Sequence, residues 1–200
     1  MDKVKTTIQT YDAIAEEFYK NHFDINSVKN LADDFIKELK GKNILDIGCG
    51  PGRDAKYFSD NGFNVVGIDL SDGLLKIARQ LPNIKFLKMD MRKLSFKENI
   101  FDGIWACASF LHVPKTEAKH TLIGFKKVLK PGGVIFICVQ EGKEEKFVSQ
   151  TEHKGAKKFF AFYSENELRN LIEECDLKIL KTVIQKKKDT WINIFAKKFI

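Results

Sequence analysis

The stretch "ILDIGCGPGRDA", Ile44 to Ala55, places three glycines and a proline within five residues, directly after an apolar run. An apolar run of this length suits a buried strand, and glycines let the backbone turn sharply and come close to a ligand. In a doubly wound sheet, the loop after the first strand lies beside the N-terminus of the next helix, where ligands bind. We therefore expect a nucleotide-like ligand at this loop.

The rest of the chain alternates short apolar runs with longer amphipathic segments, which predicts an α/β fold with helices on both faces of a mostly parallel sheet. The predicted strands are Asn43–Gly48, Asn64–Asp69, Ile84–Met89, Phe101–Ala106, Gly133–Gln140, Leu177–Gln185 and Thr190–Lys197. The predicted helices are Thr6–Tyr19, Ser27–Leu39, Ala55–Asn61, Ser71–Gln80, Thr116–Lys130 and Glu165–Cys175.

The link "KKKD" between the last two strands is too short for a parallel return. A parallel connection needs a crossover of about a dozen residues or more, whereas an antiparallel pair can be joined by a tight turn. The final strand is therefore predicted to be antiparallel.

Length and composition predict one domain, because 200 residues with 44% apolar content can bury one substantial core. The N-terminal "MDKVKTTIQT" lacks the apolar region of a signal peptide, and no apolar run is long enough to cross a membrane. We expect a cytoplasmic protein without membrane insertion. Its four cysteines are far apart in the sequence, which favours neither a disulfide framework nor a metal site.

The net charge of +7 raises the possibility of a nucleic-acid partner, since basic surfaces bind phosphate. The charge comes mostly from scattered lysines, and sites that clamp phosphate or bases favour arginine. The chain has four arginines: Arg53, Arg79, Arg92 and Arg169. Nucleic acid is thus possible but disfavoured.

Two features of the loop discriminate between ligands. The dinucleotide pattern G-x-G-x-x-G would require glycine where the chain has Arg53. Asp46, two residues before Gly48, would repel a pyrophosphate but attract a cationic ligand. S-adenosylmethionine carries both an ammonium and a sulfonium group, so it is the predicted cofactor and NAD is disfavoured.

Five segments carry a family resemblance: "ILDIGCGPG", "VVGIDLS", "FLKMDMRKL", "FDGIWACASFLHV" and "LKPGGVIFICV". Their order and spacing resemble the successive motifs of class I S-adenosylmethionine-dependent methyltransferases, from about Ile44 to Val139. The segments "YDAIAEEF" and "FYSENELRNLIEECDL" extend the similarity to the small quinone-biosynthesis-type (type 11/25) enzymes. The resemblance implies a Rossmann-like seven-stranded sheet of order 3-2-1-4-5-7-6.

The resemblance also divides the single domain into parts. Residues 1–40 would form a helical lid, 41–140 the cofactor-binding core, 141–163 an insert that covers the substrate, and 164–200 a helix and the closing hairpin. The insert mixes lysines with aromatic side chains. Such a surface would suit a small, partly aromatic or anionic acceptor.

For the cofactor, the resemblance implies that Gly48, Gly50 and Gly52 pass under its methionine and ribose portions, with Asp46 orienting the loop. Ala106, at the end of the fourth strand, would lend its carbonyl to the ammonium group.

The nucleoside portion would lie further along the same edge. Asp69 would accept hydrogen bonds from both ribose hydroxyls, since a carboxylate has two acceptor oxygens. Asp90 would accept from the adenine amino group and Met91 would contact the ring. Leu70 and Ile47 would supply apolar walls.

Two residues are candidates for catalysis. His112, just past the fourth strand, is placed where an acceptor would approach and could act as a general base. Tyr11 could close over the methionine end of the cofactor, where Arg53 could pair with the carboxylate.

The predicted activity is therefore in-line transfer of a methyl group to an oxygen, nitrogen, sulfur or carbon of a small-molecule acceptor, leaving S-adenosylhomocysteine. Two alternatives stay open: an RNA or ribosome-associated methyltransferase, and a protein that binds S-adenosylmethionine without catalysis.

Overall fold

The computed structural model describes residues 2–149 and 157–199. The helices are α1 (Lys3–Ala13), α2 (Ala15–His22), α3 (Lys29–Glu38), α4 (Arg53–Asp60), α5 (Asp72–Ala78), the 3-10 helix η1 (Phe110–His112), α6 (Lys115–Val128) and α7 (Glu165–Glu173). The strands are β1 (Asn43–Ile47), β2 (Asn64–Asp69), β3 (Lys85–Lys88), β4 (Phe101–Cys107), β5 (Leu129–Gln140), β6 (Glu145–Ser149), β7 (Lys157–Ala161), β8 (Leu177–Lys186) and β9 (Thr190–Lys198).

Seven strands form one sheet in the order β3-β2-β1-β4-β5-β9-β8. The pairs from β3 to β5 are parallel, whereas β9 pairs antiparallel with both β5 and β8. The sheet order and the antiparallel last strand confirm the predicted fold, since β8 and β9 are the sixth and seventh strands of the sheet in chain order. The hairpin between them follows from the short charged link.

The sheet is covered on both faces, as the continuous apolar character of its central strands requires. On β1, Leu45 joins a core that includes residues of α6 and α7, while Ile44 faces the opposite core with α3, α4 and α5. Successive strand side chains point to opposite faces, so this alternation follows from strand geometry. In the second core, the rings of Trp105 and Phe136 stack with centroids 3.9 Å apart.

The N-terminal segment differs from its prediction. One helix was predicted over Thr6–Tyr19, but the chain breaks at Ile14, which has φ −111° and separates α1 from α2. The break allows α2 to pack on α5, where Ala15 lies against Gly73. It also places the rings of Tyr11 and Phe18 in edge contact at 5.3 Å. Tertiary packing therefore overrides the continuous helical pattern.

A two-stranded ribbon was also missed. Strands β6 and β7 pair antiparallel within the predicted insert, where the sequence shows no regular alternation. Residues 150–156 of that insert lie outside the described residues.

Candidate functional site

A cavity of about 410 Å³ opens at the carboxyl ends of the parallel strands. Its walls come from the loop after β1, from the ends of β2, β3 and β4, and from α1, α2 and β7. The predicted site residues that line it are Tyr11, Gly48, Gly50, Arg53, Asp69, Leu70, Asp90, Met91 and His112. The predicted residues that lie behind its wall are Asp46, Ile47, Gly52 and Ala106.

No helix within residues 2–149 and 157–199 combines the length and apolar character needed to cross a membrane.

The glycines of the loop have different reasons to be glycine. Gly50 has φ +54°, and a Cβ there would meet no atom closer than 3.9 Å. Gly52 has φ +89°, and its Cβ would lie 2.7 Å from Cδ1 of Leu81 and 3.0 Å from Cζ of Phe86. The left-handed backbone favours glycine at both positions, and at Gly52, unlike Gly50, packing also excludes a side chain.

Asp69, at the end of β2, holds the glycine loop in place. Its Oδ2 accepts a hydrogen bond from the Gly50 backbone N–H at 2.9 Å, and its Oδ1 accepts from Ser71 N–H at 2.9 Å. Burial raises the pKa of Asp69, and these backbone bonds partly oppose the rise. Each carboxylate oxygen has two lone pairs, so each keeps an acceptor position beyond its backbone bond.

Asp46 is 2% exposed and lies one layer behind the loop, on β1. Within the described part of the chain, its Oδ2 has no hydrogen-bond partner. Burial is the main cause that raises the pKa of Asp46 well above its ordinary value, and the nearby carboxylate of Asp54 raises it further. A cationic ligand at this end of the cavity would offset both effects. The buried carboxylate of Asp46 therefore fits a positively charged cofactor.

Asp54 was not singled out from the sequence, yet it organises the same end. Its carboxylate accepts from Nε of Arg53 at 2.6 Å, from Nη2 at 3.1 Å, and from Nε1 of Trp105 at 2.7 Å. Burial disfavours the charge of Arg53, but the carboxylate outweighs it and raises the pKa of the guanidinium. Arg53 also reaches the His22 carbonyl at 3.4 Å, so it links the loop to α2.

Asp90, after β3, is held by Arg92. Nε and Nη2 of Arg92 donate to the two carboxylate oxygens at 3.0 Å and 2.7 Å, and Nη1 reaches Glu117 on α6. Partial burial tends to raise the pKa of Asp90, but Arg92 prevails and lowers it. Asp90 is thus a fixed carboxylate at the cavity wall.

Tyr11 and His112 meet across the cavity. The Nδ1 atom of His112 lies 2.7 Å from the carbonyl oxygen of Phe159, and a carbonyl only accepts, so Nδ1 carries the proton. Burial is the main cause that lowers the pKa of His112 to about 4. The neutral ring therefore presents a lone pair at Nε2, to which the Tyr11 hydroxyl donates at 3.0 Å. Burial, with a contribution from Asp69, raises the pKa of Tyr11 and keeps that hydroxyl protonated.

Three further lining residues have no clear sequence signal. Ala108 has φ +52°, a strained backbone for a residue with a side chain, and it directly follows β4. Ser109 donates from Oγ to the carbonyl of Ile47 at 2.6 Å and so connects β1 to η1. Lys158, on β7, is a lysine within the cavity wall.

Comparison with known proteins identifies the family of the matched region and the fold. A family model described as a methyltransferase domain matches residues 44–133. The demethylmenaquinone methyltransferase of Renibacterium salmoninarum is 32% identical over 111 residues, which cover 55% of this chain and 46% of that protein. The matched region is a class I S-adenosylmethionine-dependent methyltransferase domain. The family and the cofactor predicted from the sequence are confirmed.

Longer but weaker similarity extends over most of the chain. The ubiquinone biosynthesis O-methyltransferase of Acinetobacter baylyi is 25% identical over 195 residues, covering 86% of this chain and 81% of that protein. The chain spans 46% of the Renibacterium salmoninarum protein and 51% of the 2-methyl-6-phytyl-1,4-hydroquinone methyltransferase of Synechocystis, about half the length of each.

Solved methyltransferases share the fold. The Burkholderia thailandensis 1,6-didemethyltoxoflavin-N1-methyltransferase, solved with 1,6-didemethyltoxoflavin and S-adenosylhomocysteine, matches with a TM-score of 0.80 at 18% identity. The match covers 98% of this chain and 88% of that one. The magnesium protoporphyrin IX methyltransferase of Synechocystis matches with a TM-score of 0.77 at 14% identity, covering 99% and 98%.

Proposed function

We propose that the protein transfers a methyl group from S-adenosylmethionine to a small-molecule acceptor, with both bound in the cavity. The observation that supports this most directly is the bond from Gly50 N–H to Asp69, which joins the loop after β1 to the acid that ends β2. That pair lies in one wall of a cavity whose lining also includes His112 and Phe160. Relatives named for quinone and toxoflavin chemistry favour a small acceptor over RNA.

At the cofactor end, Asp69 accepts hydrogen bonds from the ribose hydroxyls at its remaining lone pairs. Asp90 would accept from the adenine amino group, Met91 would contact the ring, and Leu70 would supply an apolar wall. When bound, S-adenosylmethionine supplies a methyl group activated by its sulfonium, so the protein contributes orientation and exclusion of water.

The glycine loop would hold the methionine end of the cofactor. The loop backbone at Gly48 and Gly50 approaches it, while Gly52 and Ile47 support the loop from behind. The carbonyl of Ala106 and the carboxylate of Asp46 favour the ammonium group. Arg53, which Asp54 holds in place, would pair with the methionine carboxylate.

At the acceptor end, Tyr11 and His112 together remove a proton from a methyl acceptor that binds in its protonated form. The Tyr11 hydroxyl passes its proton to Nε2 of His112 as the tyrosine oxygen takes one from the acceptor. The low pKa of His112 makes Nε2 a weak base, but its lone pair is present throughout the physiological pH range. His112 therefore moves a proton only as the acceptor atom becomes methylated.

Residues 1–40 form the lid over this site. The Asp12 carboxylate on α1 accepts from Oγ of Ser71 at 2.6 Å and from Gly73 N–H at 2.9 Å, which anchors the lid to α5. The insert closes the same side, since Oγ1 of Thr10 donates to the carbonyl of Lys157 at 2.8 Å.

Binding of the cofactor product tests the proposal first. Isothermal titration with S-adenosylhomocysteine should show a single site, and NAD should show none. Asp69→Asn should weaken S-adenosylhomocysteine binding at least about tenfold, because one charge-assisted acceptor is lost. Asp72→Asn is the matched control, since Asp72 is exposed in the next helix and should leave affinity unchanged. A folded Asp69→Asn protein with wild-type affinity, checked by circular dichroism, would contradict the proposed ribose site.

Methyl transfer tests the activity itself. The protein is incubated with radiolabelled S-adenosylmethionine and either a fractionated small-molecule extract or total RNA. Label should appear in a small molecule and not in RNA. Label in RNA would favour the nucleic-acid alternative, and cofactor binding without labelling of either fraction would favour a non-catalytic protein.

A further inference from the structure

The carboxylate of Asp90, which is proposed to accept from the adenine amino group, receives hydrogen bonds from a single residue, Arg92. Its Oδ1 accepts from the backbone N–H of Arg92 at 2.9 Å and from Nε at 3.0 Å. Its Oδ2 accepts from Nε at 3.1 Å and from Nη2 at 2.7 Å. The two oxygens of a carboxylate offer about four lone-pair positions. Arg92 therefore places a donor at each acceptor position of Asp90.

These four contacts differ in strength. Nε of Arg92 carries one hydrogen and shares it between the two oxygens of Asp90, so each of its contacts is half of a three-centre bond. The contact from Nη2 is the shortest of the four. A new donor that approaches Asp90 would therefore displace Nε first.

A second carboxylate holds the same guanidinium group. Nη1 of Arg92 donates to Oε1 and Oε2 of Glu117, in the first turn of α6, at 3.1 Å and 3.0 Å. Because Glu117 binds a different nitrogen, it can retain the guanidinium when Nε leaves Asp90. The side chains of Asp90 and Arg92 are each 23% exposed, and an ion pair that water reaches is rearranged at small cost.

Asp90 and Arg92 both line the cavity. We propose that Arg92 competes with the adenine amino group for Asp90 and so sets how tightly and how selectively the base of the cofactor is bound. When the base binds, its amino group takes the position of Nε, and the guanidinium turns towards Glu117. Arg92 and Glu117 act through Asp90 and are positioning residues. The inference rests on the proposed function and specifies how its cofactor is recognised.

Two substitutions should change the affinity for S-adenosylhomocysteine in opposite directions. Arg92→Met frees the oxygens of Asp90 and should tighten binding about threefold or more. Glu117→Gln weakens the alternative partner of the guanidinium, which then stays on Asp90, so binding should weaken by a similar factor. If the two residues only supported the fold, both substitutions would weaken binding. Isothermal titration measures the affinities, and circular dichroism checks that the variants fold.

A cofactor analogue tests whether the gain depends on the amino group. The base of S-inosyl-L-homocysteine carries a carbonyl in place of that group and cannot donate to Asp90 there, so Arg92→Met should not tighten its binding. Lys93→Met is the matched control, since Lys93 is the next residue, is exposed and carries the same charge. It should leave both affinities nearly unchanged. In the Arg92→Met background, Glu117→Gln should have no further effect.

Nitrogen-15 NMR of the wild type follows the guanidinium without any substitution. The chain has four arginines, so few Nε–H signals need to be resolved. Saturation with S-adenosylhomocysteine should move the Arg92 signal upfield in the proton dimension, because its Nε–H leaves a carboxylate. S-inosyl-L-homocysteine, which presents a similar ring, should move it less. The signals of Arg79 and Arg169, neither of which is among the described residues that line the cavity, should stay in place.

The outcomes separate this inference from the proposed function. The inference alone is overturned if the wild type binds S-adenosylhomocysteine but Arg92→Met binds it no more tightly, if Glu117→Gln binds it no more weakly, or if Arg92→Met also gains affinity for S-inosyl-L-homocysteine. Should the variants fail to fold, an Arg92 signal that does not move at saturation overturns it. If the wild type does not bind S-adenosylhomocysteine, the proposed function fails and the inference falls with it.

Discussion

The hydroxyl oxygen of Tyr11 lies 3.0 Å from Nε2 of His112, across 101 residues of chain. The bond joins α1 to the segment that follows β4. Because Nδ1 of His112 is bonded to the Phe159 carbonyl, the same ring also joins that segment to β7. One imidazole therefore connects three parts of the cavity wall.

The tautomer of His112 is the first prediction. Nitrogen-15 NMR should show the proton on Nδ1 and none on Nε2 at neutral pH, because only Nδ1 has an acceptor as its partner. Tyr11→Phe removes the donor to Nε2 and should raise the pKa of His112, since that donor favours the neutral ring. A proton on Nε2 in the wild type would contradict the geometry.

The stability of the protein should depend on pH through His112. The folded-state pKa is lowered from 6.5 to about 4, so below pH 6.5 the unfolded chain binds a proton that the folded chain does not. This difference in proton binding does not change the stability above pH 6.5. As the pH falls below 6.5, it lowers the free energy of unfolding, by about 3 kcal/mol below pH 4.

Urea unfolding of the wild type and His112→Gln would measure this effect. The wild type should lose stability relative to the variant as the pH falls from about 7 to about 4. The raised pKa of Asp69 acts in the opposite direction, but it is common to both proteins. His120→Gln is the control, because His120 is exposed on α6. A constant difference across the range would show that His112 titrates normally.

Asp12 should control how firmly the lid is attached. Asp12→Ala removes acceptors for Ser71 and Gly73, and should cost about 1 to 2 kcal/mol and speed hydrogen exchange across α1 and α2. Asp2→Ala is a matched control, because Asp2 caps α1 through Val4 and Lys5 without touching α5. It should increase exchange only in the first turn of α1. Equal exchange profiles in the two variants would refute the anchoring role.

The loop glycines should respond differently to alanine. Gly50→Ala introduces only left-handed backbone strain of about 1 to 2 kcal/mol. Gly52→Ala adds overlap with Leu81 and Phe86, for a total of about 2 to 5 kcal/mol. Urea unfolding measures both, and Leu81→Ala in the Gly52→Ala background should recover part of the loss. Equal costs at the two positions would show that Leu81 moves aside freely.

Much of the architecture could be predicted from local sequence. The apolar run before Gly48 predicts a buried strand, and the link after β8 is too short for anything but a hairpin. The acids Asp69 and Asp90 each follow a strand, and the ends of parallel strands share one edge of the sheet. Period, loop length and chain direction carry these features, so the sequence by itself determined the fold class and the edge of the sheet at which the cavity lies.

The cavity wall formed by α1, η1 and β7 was decided only by tertiary structure. Tyr11, His112 and Lys158 come from segments far apart in the chain, and no local pattern states that they meet. In "AKKFFAFY" the sequence does not distinguish exposed Lys157 from buried Lys158, because that depends on which face of β7 packs against α1. Likewise, the break at Ile14 arises from packing on α5, since helical periodicity continues through it. Long-range contacts outweigh local preferences here because each buried contact contributes more free energy than the small difference between neighbouring backbone conformations.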